Sequence, residues 1–112
     1  MTDYNRGDVV LVHYRSSAEM QSGLRPAVVV SSETYHQGRS QLLIAAVTGA
    51  QKRLQIGDTV IQEWQEAGLI RQSLATGSLL TVPPDEINRK LGKLSSQDAQ
   101  GLDSSLRLNL GI

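Results

Sequence analysis

The sequence predicts an α+β, mainly β fold: a small antiparallel β-barrel or sandwich core with C-terminal helices packed on it. Three apolar, β-branched runs fall within the first fifty residues, and no helical segment of ten or more residues separates them. Parallel pairing needs such a crossover, so these runs pair antiparallel. Helical spacing appears only near the C-terminus, and strands followed by helices indicate an α+β or barrel-plus-helices architecture. The length of 112 residues sets the scale. It corresponds to about one domain, taken as residues 1–112, and lets the chain bury roughly two-thirds of the surface its unfolded form exposes.

Taken in order, residues 8–14 (Asp8-Val-Val-Leu-Val-His-Tyr14) read as a buried strand opened by Gly7. The polar stretch 15–24 has no periodicity and reads as a loop. Pro26-Ala-Val-Val-Val-Ser31 is the second strand, its proline at the start, where a missing N–H harms a ladder least. Residues 32–40 form a connection with a helical turn after Ser32, and 41–47 form a third strand. Residues 48–58 are a glycine-punctuated loop, 59–61 a short strand, and 63–68 one helical turn ended by Gly68. A strand lies around Leu79 and Leu80. Pro83-Pro84-Asp85 starts a helix that runs through Lys90 and stops at Gly92. Ser95 or Ser96 caps a last helix in which Ala99, Leu102, Leu106 and Leu110 recur at helical spacing, ended by Gly111.

Composition narrows the function classes. Apolar residues make up 39% of the chain, with no Phe, one Trp and three Tyr, so the core is aliphatic. Without cysteine there is no disulfide framework, thiolate zinc site or cysteine nucleophile. Eleven basic residues balance eleven acidic ones, which argues against a generic basic coat for nucleic acid but leaves room for a local groove. No run approaches the roughly 20 apolar residues of a membrane span, and the polar start MTDYNRGD lacks a signal-peptide core. A cytoplasmic protein without a membrane partner is expected.

His13 and His36 lie in no ligand spacing, so neither a metal nor another cofactor is expected. His13 sits in the first strand as a satisfied or edge-facing residue. Most acidic residues occur singly in polar stretches or helices and read as solvated. Two places stand out. Arg25 precedes a proline at the mouth of the second strand, which biases it to an extended backbone. From the residues alone it is either a rim arginine paired with a carboxylate or an anion-binding group, since a guanidinium grips phosphate through two parallel hydrogen bonds. Thr48 directly follows the third strand and is either a β-branched strand terminator or a hydroxyl placed beside that guanidinium.

These places also carry a family resemblance. Gly7-Asp-Val-Val-Leu-Val12, then Arg25-Pro-Ala-Val-Val29, then Val47-Thr48 follow the order of the MazF/PemK toxin family. Ile61-Gln-Glu-Trp-Gln-Glu-Ala-Gly-Leu69, Arg71-Gln-Ser73 and Ile87-Asn-Arg-Lys-Leu-Gly-Lys-Leu-Ser95 resemble its PemK-like branch. The resemblance implies a small SH3-like barrel of the CcdB/MazF type and a homodimer. It further implies a cognate antitoxin and DNA binding through the antitoxin complex. The implied activity is that of an mRNA interferase: metal-independent cleavage of single-stranded RNA by 2′-OH attack, giving 2′,3′-cyclic phosphate and 5′-OH ends. The family's functional arginine and threonine map onto Arg25 and Thr48. Arg25 would stabilise the phosphorane first and move protons second, and Thr48 would donate to a non-bridging oxygen.

RNA contacts are expected from Arg15, Lys52 and Arg53 on loops beside the first strands, and from Ser73, Thr76 and Ser78. The first 53 residues hold six basic and four acidic residues, the remaining 59 five and seven. That sign fits a groove lined by the early loops, with base stacking on Tyr14 or Tyr35. The sequence departs from some family members where Thr76 and Ser78 stand in place of an Arg-x-Asp pair, and where the loop before Arg25 holds Glu19 and no histidine. A weak or inactive barrel that acts by protein binding is the alternative.

Overall fold

The computed structural model describes residues 3–15, 22–50 and 53–112, with the side chains of Tyr14, Arg15 and Ser22 outside that description. The elements are β1 (Asp8–Arg15), β2 (Ser22–Val29), α1 (Glu33–Gly38), β3 (Leu42–Gly49), β4 (Thr59–Ile61) and β5 (Ser73–Val82). A 3-10 turn (Pro84–Glu86), β6 (Ile87–Lys93) and α2 (Ser96–Leu110) complete the chain. Among the described residues, all strand pairs are antiparallel and form one sheet in the order β4-β5-β3-β2-β1-β6. The expected antiparallel architecture with a C-terminal helix is present. The sheet is not closed, however, and one C-terminal helix replaces the two expected.

Both faces of the sheet are buried, which is why the strands read as continuous apolar runs instead of alternating ones. Val10, Val12, Ala27, Val29, Leu42 and Ile44 form one cluster with Val82 and Ile87, the residues on either side of the 83–86 corner. Val9, Val28, Ala45, Val47 and Ala75 form the other, covered by Ala67, Leu69, Leu94, Leu102 and Leu106. Each such valine or leucine contributes about 1.5–3 kcal/mol on burial.

Two segments depart from the sequence expectation. Residues 87–93 form a strand, not a helix, because they pair with β1 from Asp8↔Lys93 to Val12↔Ile87. The Pro-Pro-Asp-Glu start signal is used by a single 3-10 turn, in which Glu86 N–H donates to Pro83 O at 3.1 Å. Without β6 the buried strand β1 would present an open edge, so tertiary pairing overrides local propensity. Residues 22–24, expected in a loop, and Arg25, expected at the strand mouth, already belong to β2, and Pro26 lies within that strand, not at its start. Residues 63–68 make the single turn expected: Ala67 N–H donates to Glu63 O at 3.2 Å and Leu69 N–H to Trp64 O at 3.0 Å, and Gly68 ends it at positive φ.

The last helix follows its caps. Ser95 Oγ accepts from Asp98 N–H at 3.2 Å, and Gly111 ends the helix at φ 73°. Leu102 and Leu106 are buried as expected, but Leu110 is 56% exposed. Two carboxylates are buried: Asp8, at the head of the strand read as buried, and Asp98, in a helix whose acidic residues read as solvated. Asp8 accepts from Asn5 N–H at 2.8 Å and faces Lys90 Nζ at 3.2 Å, tying β1 to β6. Asp98 accepts from Gln62 N–H and Glu63 N–H, each at 2.9 Å. One helix side chain thereby holds the start of the 62–72 segment in place.

Removing that acceptor leaves two partly buried N–H groups unmet. Asp98→Ala should lower stability by about 3 kcal/mol, the scale of lost hydrogen bonds to a charged group. Asp98→Asn, which keeps one oxygen, should recover part of it. Urea unfolding with an unchanged m-value checks this; a loss below about 1 kcal/mol would show that the clamp is not needed.

Candidate active site

The site arises where two neighbouring strands part. β2 and β3 pair only through Ala27↔Ala46, Val28↔Ala45 and Val29↔Ile44. Beyond Ala27, β2 stays on β1 as far as Ser22↔Arg15, and beyond Ala46, β3 stays on β5 as far as Gly49↔Ser73. Pro26 stands at the fork. It has no N–H to offer β3, so a proline inside this strand leaves no buried donor unmet. Continuing the β2–β3 register past the fork sets Arg25 opposite Thr48. The two residues occupy facing banks of the split.

That split is a groove of about 670 Å³. Gly23, Leu24, Arg25 and Pro26 line one bank, and Val47, Thr48 and Gly49 the other. Leu11, Leu91 and Arg89 extend it across β1 and β6, and Gly68–Arg71 with Ser73 complete the wall. Arg25 is exposed, Thr48 half-buried and Ser73 buried. Ser73 Oγ donates to Arg71 O at 2.9 Å, fixing the bend by which the chain enters β5. Among the described residues the groove wall carries three arginines and no aspartate, glutamate or histidine. Such a wall is suited to an anion, which guanidinium and hydroxyl donors bind directly.

Of the residues singled out in the sequence, the structure brings Arg25, Thr48 and Ser73 together. Thr48 lies inside β3 opposite Leu74, not after the strand, and Arg25 lies inside β2 opposite Val12, not at a strand mouth. Thr76 and Ser78 do not line the groove. They occupy an irregularity of β5, where Thr76 Oγ1 donates to Ala46 O at 2.8 Å and accepts from Ser78 N–H at 3.2 Å. Arg53 is exposed and outside the groove, Lys52 lies outside the described residues, and Arg15 ends β1 with its side chain undescribed. Tyr35 lies elsewhere, with Arg39 5.8 Å over its ring. His13 is exposed on β1, whereas His36 is buried, with Nε2 2.5 Å from Ser31 Oγ. Arg71 and Arg89 are the groove residues that sequence reading missed. A strand over 87–93 would have separated Arg89 from its neighbour Lys90 by alternation.

The fold agrees with what known proteins show. Residues 5–110 match the family described as PemK-like, MazF-like toxin of type II toxin–antitoxin system. The chain belongs to this family. It is 25% identical over 109 residues to Endoribonuclease MazF of Staphylococcus saprophyticus subsp. saprophyticus, a match covering 96% of this chain and 91% of that protein. Its fold is similar to a mycobacterial endoribonuclease in complex with its cognate antitoxin, with a TM-score of 0.77 at 16% identity, covering 97% of this chain and 96% of the other. MazF from Deinococcus radiodurans gives a TM-score of 0.76 at 16% identity, covering 98% of this chain and 100% of the other. Among the described residues, no helix of this toxin-family chain is long and apolar enough to cross a membrane.

Groove shape depends on a close approach of backbones. Gly68 has φ +83° and a Cβ there would overlap the carbonyl of Leu91, while a Cβ on Gly92 would lie 2.6 Å from Ala67 O. Gly68→Ala should therefore cost at least about 2 kcal/mol, the left-handed penalty plus the overlap. It should also push the 68–71 wall away from β6. A melting curve within 1 °C of wild type would contradict this close packing.

Proposed function

We propose that this toxin is a metal-independent endoribonuclease that cuts single-stranded RNA and is held inactive by a cognate antitoxin. The observation that supports the reading is the pair Arg25 and Thr48 on facing banks of an arginine-lined groove. A ribose 2′-OH attacks the adjacent phosphorus, the 5′-oxygen of the next nucleotide leaves, and the ends are a 2′,3′-cyclic phosphate and a 5′-OH. Charge grows on the non-bridging oxygens as the phosphorane forms, and preorganised donors aimed there lower the barrier. Arg25 supplies a fork that stays protonated, and Thr48 donates a hydroxyl hydrogen bond. In a second role Arg25 donates a proton to the leaving 5′-oxygen and is reprotonated by the one the 2′-OH releases, so the proton count closes over the step. Ser73, on the same wall, is a further contact for the RNA.

The protein acts in the cytoplasm as a homodimer. Leu79, Leu110 and Ile112 are each at least 38% exposed and line one apolar hollow between β5 and the end of α2, a surface suited to a second copy. A second reading, protein binding by an inactive barrel, draws on one observation: among the described residues the groove lacks an imidazole or carboxylate to take a proton.

Cleavage separates the two readings. Arg25→Ala should slow it about 10²-fold or more, and Arg25→Lys should recover only part, because an ammonium lacks the bidentate fork. Thr48→Val keeps the side-chain shape and should also slow cleavage, with melting curves of all three close to wild type. Activity should persist in EDTA. Wild-type protein that leaves a mixed-sequence RNA intact, or Arg25→Ala that still cuts it and still arrests growth, would end the catalytic reading. In light scattering the chain of 12.2 kDa should show twice that mass at micromolar concentration; a monomer would refute the dimer.

A further inference from the structure

Arg25 and Thr48 account for one phosphate, yet the groove is larger and more positive than one phosphate needs. Its volume of about 670 Å³ lies in the range that takes a whole drug-sized ligand. Two further arginines line it, Arg71 at the entry to β5 and Arg89 on β6 opposite Leu11. Neither guanidinium has an ion-pair or hydrogen-bond partner among the described residues. Lys90, the next residue on β6, is answered by the buried carboxylate of Asp8. Alternation along the strand thus commits one cation to the fold and leaves its neighbour to the groove.

We infer that Arg71 and Arg89 form a second phosphate subsite, which holds the backbone phosphate next to the one being cut. This rests on the RNA-cleaving reading. β6 lies two strand spacings, roughly 10 Å, from β2 with β1 between them. Guanidinium groups on those two strands suit successive charges along a polyanion better than a single ion. They are positioning residues: bonds equally strong before and during the reaction lower KM without raising kcat. An acidic polypeptide would offer charges of the same sign, but the subsite continues the wall that holds Arg25, Thr48 and Ser73. A single strand of RNA is the occupant that uses all of it.

The test compares wild type with Arg71→Gln, Arg89→Gln, the double variant and Arg89→Lys on a single-stranded oligoribonucleotide over a range of NaCl concentrations. Each lost arginine should reduce the slope of log(kcat/KM) against log[salt] by about 0.7. The double variant should raise KM about tenfold at low salt with kcat within twofold, a pattern of lost uniform binding. Arg89→Lys should restore the slope, because counterion release follows charge. Arg107→Gln, outside this groove, should leave it unchanged. Unchanged slopes in the double variant, or a fall in kcat at constant KM, would overturn the subsite while leaving the nuclease reading intact. Should wild type not cut, the nuclease reading fails, and the same salt series read as binding of the oligoribonucleotide still decides the subsite. Variants that lose affinity for polyglutamate but keep the wild-type RNA slope would assign the arginines to an acidic protein and overturn the proposal.

Discussion

The parting of β2 from β3 at Ala27↔Ala46 is the constraint on which the groove depends. Two neighbouring strands that stayed paired to their ends would place Arg25 and Thr48 side by side on a continuous sheet, with no cavity between them. Instead each strand finds its hydrogen bonds on its outer neighbour, β2 on β1 and β3 on β5. Backbone groups beyond the fork turn toward the opening, and an unmet buried group there would cost about 1–3 kcal/mol. Pro26 removes one donor from that account. The sequence string that marks the site is thus also the one that opens it.

The far wall is held by a relay that begins at a distance. Asp98 fixes Gln62 and Glu63 to the first turn of α2, the following turns bring Ala67 and Gly68 against Gly92 and Leu91, and the chain then reaches Arg71 and Ser73. Two glycines at the crossing let backbone meet backbone, so the 68–71 wall sits directly on β6 without an intervening side chain. Asp8 performs the matching task on the other edge by drawing Lys90 inward. Buried carboxylates, of which Asp98 read as solvated from its neighbours in sequence, hold both edges of the groove. Their partners are 35 or more residues away for Asp98 and 82 for Lys90 with Asp8, a separation no local pattern reports.

The same distinction governs how much was legible. β1, β3 and β4 and the capped helix α2 follow from runs and caps that act within a few residues, whereas Arg25 and Thr48, read as strand-end residues, lie inside β2 and β3. β6 does not follow from such local signals. Pro83, Pro84 and Asp85 followed by Gly92 imitate helix punctuation, and only the open edge of β1, a non-local fact, converts the segment to a strand. With that error Arg89 vanished from view, and charge counting then favoured the early loops. The groove takes Arg71 and Arg89 from the half of the chain that holds five basic and seven acidic residues. Thr76 and Ser78 misled for another reason: both hydrogen-bond within the irregularity of β5.

Net charge of zero then becomes informative instead of adverse. A neutral chain has little long-range field, so binding of a polyanion rests on contacts made inside the groove. Three guanidinium contacts to a single strand give a salt slope of about −2, and raising salt from 50 to 200 mM weakens them only about 20-fold. A protein coated with 6–10 phosphate contacts would lose about 10³–10⁵ over the same range. On the proposed nuclease reading the balanced composition costs general affinity for nucleic acid but makes the local grip far less sensitive to salt than a basic coat would be. It would confine the interaction to strands able to enter a split between two β-strands, and so favour unpaired RNA over a duplex.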